Sequence, residues 1–304
     1  MFAGIGDEAG VGLQDQLGSL ARLGWTSIEL RTVNGTAVAD LDNEAFARLA
    51  DTLHSQGLAV ACVASQIGNW ARPISGDFDK DLDELGVLAR RCVALGTRYI
   101  RVMSYPNHGL TEQEWGRRVV ERMRRLAGQA EQAGLVLVHE NCTGWAGTAA
   151  ERMLDLLDRV DSPALRLLFD TGNGIAYSYE AYDLLTQIVD YVAHVHVKDA
   201  EGSTAHPTYT LPGAGQARVA DCLRLLLDSG YTGTWSIEPH LAMQPHLAGR
   251  RLRRGNGEAN IGQGNHDSFV ACGQALERLV REQVLPTFPG WAMCQGGMIK
   301  WTGR

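Results

Sequence analysis

Short apolar runs alternate with longer amphipathic segments along nearly the whole chain. The runs Phe2–Gly6, Thr26–Leu30, Ala59–Ala64, Tyr99–Met103, Leu135–Glu140, Leu165–Phe169, Val192–Val197 and Thr234–Glu238 read as strands. Several are unbroken, such as Leu135-Val136-Leu137-Val138, which suits parallel strands buried on both faces. Between them, apolar residues recur at spacings of three and four. Trp115, Val119, Met123, Leu126, Ala130 and Ala133 make one such stripe, and Leu82, Leu85, Leu88, Cys92 and Leu95 another. That period places one apolar face on each of two helices. Glycines at 24, 57, 96, 134 and 230 stand just before strands, where a helix ends most easily in a left-handed residue. Eight successive strand–helix units predict an α/β fold, closed as a single (β/α)8 TIM barrel. An open doubly wound sheet is the rival, but Gly4-Ile5-Gly6-Asp7-Glu8-Ala9 lacks the GxGxxG first turn.

Two segments break the rhythm. Residues 241–267 form a long, polar, glycine-rich loop after the eighth strand, a place where loops shape substrate pockets. Within it, Arg250-Arg251-Leu252-Arg253-Arg254 reads as a solvated stretch or as a lid for an anionic substrate. The catalytic barrel is thus expected over residues 1–285. Residues 286–304, with Trp291 and Trp301, form an extension that packs on the barrel or on a partner subunit.

Composition narrows the function classes. The chain has 304 residues, 45% of them hydrophobic, and a formal charge of −7. An acidic balance disfavours a phosphate backbone, so no nucleic-acid partner is expected. No stretch reaches the roughly 18 apolar residues of a membrane span, and no secretory leader is visible. Cys62, Cys92, Cys142, Cys222, Cys272 and Cys294 are scattered with no CxxC pair, which fits reduced thiols and a cytoplasmic location.

Barrel chemistry gathers where strands end, at the carboxyl face. Those ends carry Glu29, Glu140, Asp170, His196 and Glu238. The last four stand on strands 5 to 8, consecutive around the ring. Side chains alternate along a strand, so an inward Glu140 brings Val138 and Val136 with it. An inward Glu238 brings Ser236 and Thr234, leaving Trp235 and Ile237 to the helices. Three carboxylates and an imidazole converging in a buried place would repel and lose hydration without a cation. Three oxygen donors and one nitrogen suit Mn2+ best, with Mg2+ or Co2+ as alternates and Zn2+ less favoured. Taken singly, each residue has a plainer reading: Asp170 as a helix cap, or a glutamate paired with Arg101.

These residues carry a family resemblance. The stretches Gly24-Trp25-Thr26-Ser27-Ile28-Glu29-Leu30, Val138-His139-Glu140-Asn141 and Leu168-Phe169-Asp170-Thr171-Gly172-Asn173 are joined by His194-Val195-His196-Val197-Lys198-Asp199, Leu211-Pro212-Gly213-Ala214-Gly215 and Gly230–Glu238. Over residues 2–285 the chain resembles the xylose-isomerase-like TIM-barrel superfamily of sugar isomerases and epimerases, with its ketose 3-epimerases and inosose dehydratases. The resemblance implies Glu140, Asp170, His196 and Glu238 as metal ligands. It makes Glu140 and Glu238 the catalytic pair, one taking a proton beside a carbonyl and the other returning it through an enediolate. His194, one layer deeper, is expected to be a core histidine, and His139, of opposite parity to Glu140, a structural one. One departure stands out: where many sugar-active relatives have Asp-x-x-His, this chain has Asp170-Thr171-Gly172-Asn173, and an amide cannot carry a proton.

Asn173, Lys198, Trp145, Arg101, Trp70, Glu8 and His240 are the expected substrate contacts. Trp145 would stack on a sugar ring or serve as packing, and Cys142 is taken as structural. The expected activity is a divalent-metal-dependent isomerase or epimerase of a keto-sugar or inosose, in a homodimer or homotetramer. A lyase using the same enolate, a dehydratase or a 3-oxo-glycoside C-deglycosidase, is the alternative. An endonuclease IV-like nuclease is remote, because Ala61-Cys62-Val63-Ala64-Ser65-Gln66 supplies no histidine at strand 3.

Overall fold

The computed structural model of the chain describes residues 1–241 and 265–303. Among them, eight parallel strands form one sheet: β1 (Phe2–Gly4), β2 (Ser27–Leu30), β3 (Ala59–Ala64), β4 (Tyr99–Ser104), β5 (Val136–Gly144), β6 (Leu165–Asp170), β7 (Val192–Val197) and β8 (Trp235–Ile237). Neighbours follow chain order from β2 to β8, and β8 pairs with β1. A parallel bridge between Ile5 and Glu29 brings the remaining two edges together. The (β/α)8 barrel is therefore the fold. Helices α1 (Leu13–Leu23), α2 (Asn43–Ser55), α3 (Asp79–Leu95), α4 (Glu112–Gln132), α5 (Ala150–Val160), α6 (Ala181–Ile188), α7 (Val219–Asp228) and α8 (His266–Leu279) surround it.

The helices form where caps and stripes agree. Thr111 opens α4 by accepting a hydrogen bond from the Glu114 amide at 3.3 Å, and the helix buries Val119, Met123, Leu126 and Ala130. Gly24 and Gly96 close α1 and α3 with φ of 68° and 69°, angles that cost other residues a steric clash. These stripes meet the outward strand residues Leu137, Leu167, Phe169, Val195, Trp235 and Ile237 in one continuous core. Each such side chain, fully buried, contributes roughly 1.5–3 kcal/mol. Cys62, Val138 and Leu168 form a second, small cluster. In β5 and β6 these are the residues two before Glu140 and Asp170, so they plug the barrel interior beneath the site.

Ala59–Ala64 and Val192–Val197 form strands with the expected bounds, and the other strands differ by a residue or two at one or both ends, except for β5. That strand runs on through Asn141–Gly144 because, past a register shift, Gly144 pairs with Ser104 of β4. An antiparallel hairpin, Asp199–Ser203 with His206–Thr210, follows β7. It is polar and mostly exposed, so no alternation announces it. At the carboxyl end, Trp291–Cys294 pairs with Met298–Trp301. Its turn accepts hydrogen bonds from the Phe2 amide (2.6 Å, to Gly297) and the Thr26 hydroxyl (3.3 Å, to Gly296). Both donors lie at the amino ends of their strands, so this hairpin contacts the barrel on the face away from the strand carboxyl ends. The Arg250–Arg254 cluster and residues 242–264 of the long loop lie outside the described residues. Among the described residues, no helix is long and apolar enough to cross a membrane.

Candidate metal centre

Strands β5 to β8 each deliver one side chain to a common point. Glu140 lies within β5, Asp170 ends β6, His196 is the penultimate residue of β7, and Glu238 follows β8. Pairing sets Asp170 level with His196, and His196 level with Ser236. One donor atom from each of Glu140, Asp170, His196 and Glu238 lies within 4.8 Å of all the others. None of the four is more than 5% exposed. His196 Nδ1 stands 3.5 Å from Glu238 Oε2 and 3.9 Å from both Glu140 Oε1 and Asp170 Oδ2.

Two buried atoms in this cluster have no hydrogen-bond partner among the described residues, His196 Nδ1 and Asp170 Oδ2. Lys198 Nζ forms an ion pair with Asp170 Oδ2 at 3.0 Å. Both atoms face the other side chains of the cluster. A buried nitrogen without a partner is costly, and a divalent cation among these side chains would satisfy His196 Nδ1 while sharing Asp170 Oδ2 with Lys198. The other oxygen of Asp170 accepts from the Gly172 and Asn173 amides, each at 2.8 Å. The plain reading of Asp170 as a turn-capping residue and the ligand reading thus use different oxygens of one carboxylate.

Charged neighbours hold the cluster. Arg101 Nη1 donates to Glu140 Oε2 at 3.0 Å, and Asn173 Nδ2 donates to Glu140 Oε1 at 3.0 Å. Lys198 Nζ donates to Glu238 Oε2 at 2.7 Å, and Arg31 Nη1 donates to Glu238 Oε1 at 3.1 Å. Burial alone would push the Glu238 carboxyl up, but Lys198 and the imidazoles of His240 and His196 hold it well below the usual range. Burial raises Asp170 despite the adjacent Lys198 ammonium, with Glu238 and Glu140 adding to the rise. Gly172 permits this crowding, because a Cβ there would come within 2.8 Å of Lys198 Cγ.

The structure gathers some of the expected substrate contacts and disperses others. Arg101, Asn173 and Lys198 are buried against the four-residue cluster. Glu8 lies beside it, its carboxylate accepting from the His240 amide (2.7 Å) and from Nδ1 (2.8 Å), while His240 adopts φ of 52°. Trp145 belongs to the outer core at 6% exposure, with its indole pressed against Gly116 of α4. Trp70 is 40% exposed. Cys142 contacts the Tyr177 hydroxyl at 3.4 Å, and burial pushes its thiol up to about 12. His139 is fully buried, and burial pushes its imidazole down to about 4.

Arg31 escaped the sequence reading. Its guanidinium spans Asp7, Glu8 and Glu238 with contacts of 2.8–3.1 Å. It sits two residues after Glu29, just past the end of β2, so strand parity carried one step beyond the strand would have found it.

Comparison with known proteins identifies the family. A family model described as "Xylose isomerase-like TIM barrel" matches residues 17–263. The chain belongs to that family. Among curated relatives, it is 26% identical to an inosose dehydratase of Clostridium perfringens over 144 residues, 42% of this chain and 48% of that protein. It is 31% identical to an inosose dehydratase of Bacillus licheniformis over 144 residues, 42% and 47% of the two chains. The matched stretch therefore spans about half the length of each relative. Among solved structures, D-allulose 3-epimerase from Methylomonas sp. in complex with D-allulose superposes with a TM-score of 0.70, at 18% identity over 93% of this chain and 96% of that one. An IOLI protein with a bound zinc atom gives 0.69, at 14% identity over 95% and 99%. At such identity the likeness of these structures is one of fold.

Two expectations follow. A Gly116→Ala substitution would bring a Cβ within 2.6–2.8 Å of the Trp145 indole and should destabilise the chain by about 1–3 kcal/mol, read by denaturant unfolding. Divalent-ion affinity should not change, because Trp145 is packed in the outer core.

The second concerns pH. Burial alone would lower His196, but the Glu29 and Glu238 carboxylates outweigh it and hold the imidazole well above 6.5. Without a divalent ion, this raised value stabilises the fold fully below about pH 6.5, and the contribution is lost as pH rises through it. A cation must displace the same proton, so its affinity rises with pH over that span. At a hundred times its Kd it should add about 2.7 kcal/mol, raising Tm by roughly 4 °C for a chain this long. A cation-induced Tm shift that shrinks as pH rises from 6 to 9 would contradict this.

Proposed function

We propose that this chain is a divalent-metal-dependent isomerase or epimerase that removes a proton beside the carbonyl of a keto-sugar or inosose. The observation that carries the reading is the convergence of Glu140, Asp170, His196 and Glu238, with the buried His196 Nδ1 turned to the three carboxylates and without a hydrogen-bond partner among the described residues. Three oxygens and one nitrogen favour Mn2+, with Mg2+ or Co2+ as alternates. When bound, the cation supplies positive charge for the substrate oxygens that become negative as the proton leaves.

The remaining work falls to the chain's own residues. Glu140 and Glu238 come from β5 and β8, three strands apart around the barrel, and so reach a substrate from different sides. That separation suits one carboxylate taking the proton and the other returning it. Arg101 and Asn173 orient the first, and Lys198 and Arg31 the second. Glu8 and His240, beside Glu238, supply polar groups for substrate hydroxyls. The proposed working form is a cytoplasmic homodimer or homotetramer, which light scattering would check.

A lyase is the second reading, and Lys198 favours it. Its ammonium sits 2.7 Å from Glu238, a donor placed to hydrogen-bond the oxygen of a departing hydroxyl or aglycone after the same proton abstraction. The curated relatives' dehydratase names point the same way. The test is incubation of the protein loaded with Mn2+, Mg2+, Co2+ or Zn2+ with ketohexoses, inososes and 3-oxo-glycosides in D2O. Deuterium entering beside the carbonyl, abolished by chelator, is expected. An epimer or isomer as product identifies the first reading, and a dehydrated product or freed aglycone the second. No exchange and no product with any of these substrates would sink both.

A further inference from the structure

The proposed chemistry leaves one buried carboxylate unused. Glu29 is wholly inaccessible and lies inside the barrel, where its two oxygens meet two imidazoles of β7. Glu29 Oε2 is 2.8 Å from His194 Nε2, and Oε1 is 2.9 Å from His196 Nε2. Residues 194 and 196 share a face of β7, so one carboxylate from β2, across the barrel, reaches both rings. We infer that Glu29 is a positioning residue that keeps a proton on Nε2 of both histidines and thereby makes Nδ1 of His196 the nitrogen that is offered to the divalent cation. The inference rests on the metal-dependent reading above and adds the residue that prepares its one nitrogen donor.

An ionised carboxylate only accepts hydrogen bonds. Each Nε2 at 2.8–2.9 Å from Glu29 must therefore be the donor, and a neutral His196 ring then has its lone pair on Nδ1. That atom has no hydrogen-bond partner among the described residues and faces Glu140, Asp170 and Glu238. A hydrogen bond from the far nitrogen also fixes the ring plane, the usual device that orients a metal-binding histidine. His194, taken from the sequence as a core histidine, gains a reason to be there. It occupies the second oxygen of Glu29, which would otherwise be a buried acceptor with nothing to accept.

The test uses the full-length chain with its histidines labelled with nitrogen-15. The metal-free parent is expected to show two slowly exchanging, downfield imidazole Nε2–H signals, from His194 and His196. In Glu29→Ala both should vanish, and Mn2+ or Mg2+ affinity by calorimetry should fall about 10- to 100-fold. Glu29→Gln keeps the side-chain volume and serves if the alanine variant does not fold. Its amide can accept from only one ring, so at most one signal should survive. The inference is overturned if the parent shows no such signals, if both persist in Glu29→Gln, or if a folded Glu29→Ala binds the ion within twofold of the parent. A parent that binds no divalent ion, yet shows both signals, overturns the metal reading and the presentation of Nδ1 with it, leaving Glu29 as a clamp of two core rings.

Discussion

Glu238→Gln is expected to lower turnover of a keto-sugar or inosose by about 10²–10⁴-fold, the range that a lost general acid or base usually costs. The glutamine still offers an oxygen to a cation but no longer takes up or returns a proton, so divalent-ion binding should weaken far less than turnover. It also ends the ion pairs of Glu238 with Lys198 at 2.7 Å and Arg31 at 3.1 Å. Saturation with the divalent ion separates these effects. If Glu238 acts as a base, the fully loaded variant should still turn over about 10²-fold or more slowly than the parent, whereas a role limited to charge and ion holding would be largely recovered at saturating ion. Glu140→Gln should behave alike, because its carboxylate is held by Arg101 in the same way. Turnover within tenfold of the parent in both variants would remove these residues from the chemistry.

The largest expected effect on stability comes from Arg31→Leu. Arg31 is 13% exposed in its side chain and is shared by Asp7, Glu8 and Glu238, whose side chains are at most 6% exposed. Removing the cation leaves three carboxylates close together with their common counter-charge gone. Breaking a buried ion pair from one side typically costs about 3–5 kcal/mol, which for a chain this long is a Tm loss of roughly 5–8 °C. A divalent ion should recover part of that loss, since Glu238 belongs to both the Arg31 network and the proposed metal centre. A melting curve that matches the parent in the absence of metal would show that Asp7, Glu8 and Glu238 do not depend on Arg31.

Trp145 illustrates how far local sequence carries. It follows β5 by one residue, at the barrel face where a sugar would sit, and an indole there suggests stacking. The strand instead runs on to Gly144, and the Trp145 amide then donates to the Ser104 carbonyl at 3.1 Å. That turn sends the indole against α4. Asn173 is a related case. Its spacing from Asp170 suggested a substrate contact, while in the fold its amide donates to Glu140 and to the Asn141 carbonyl. Nothing local indicates which acceptor a buried amide will find, since Glu140 lies 33 residues away.

By itself the sequence determined the barrel and the ring of strand ends, because both rest on short-range periods. Apolar runs and stripes distinguish strand from helix, and alternation along a strand decides which side chains turn inward. Hence Glu140, Asp170, His196 and Glu238 could be read as one group before any coordinates. Only the tertiary structure decided who holds them. Glu29 meets His194 and His196 across 165 and 167 residues of chain, and Arg31 meets Glu238 across 207. Such pairings depend on strand stagger and on distances across the closed barrel, to within an ångström, and hydrophobic patterning carries no information at that scale.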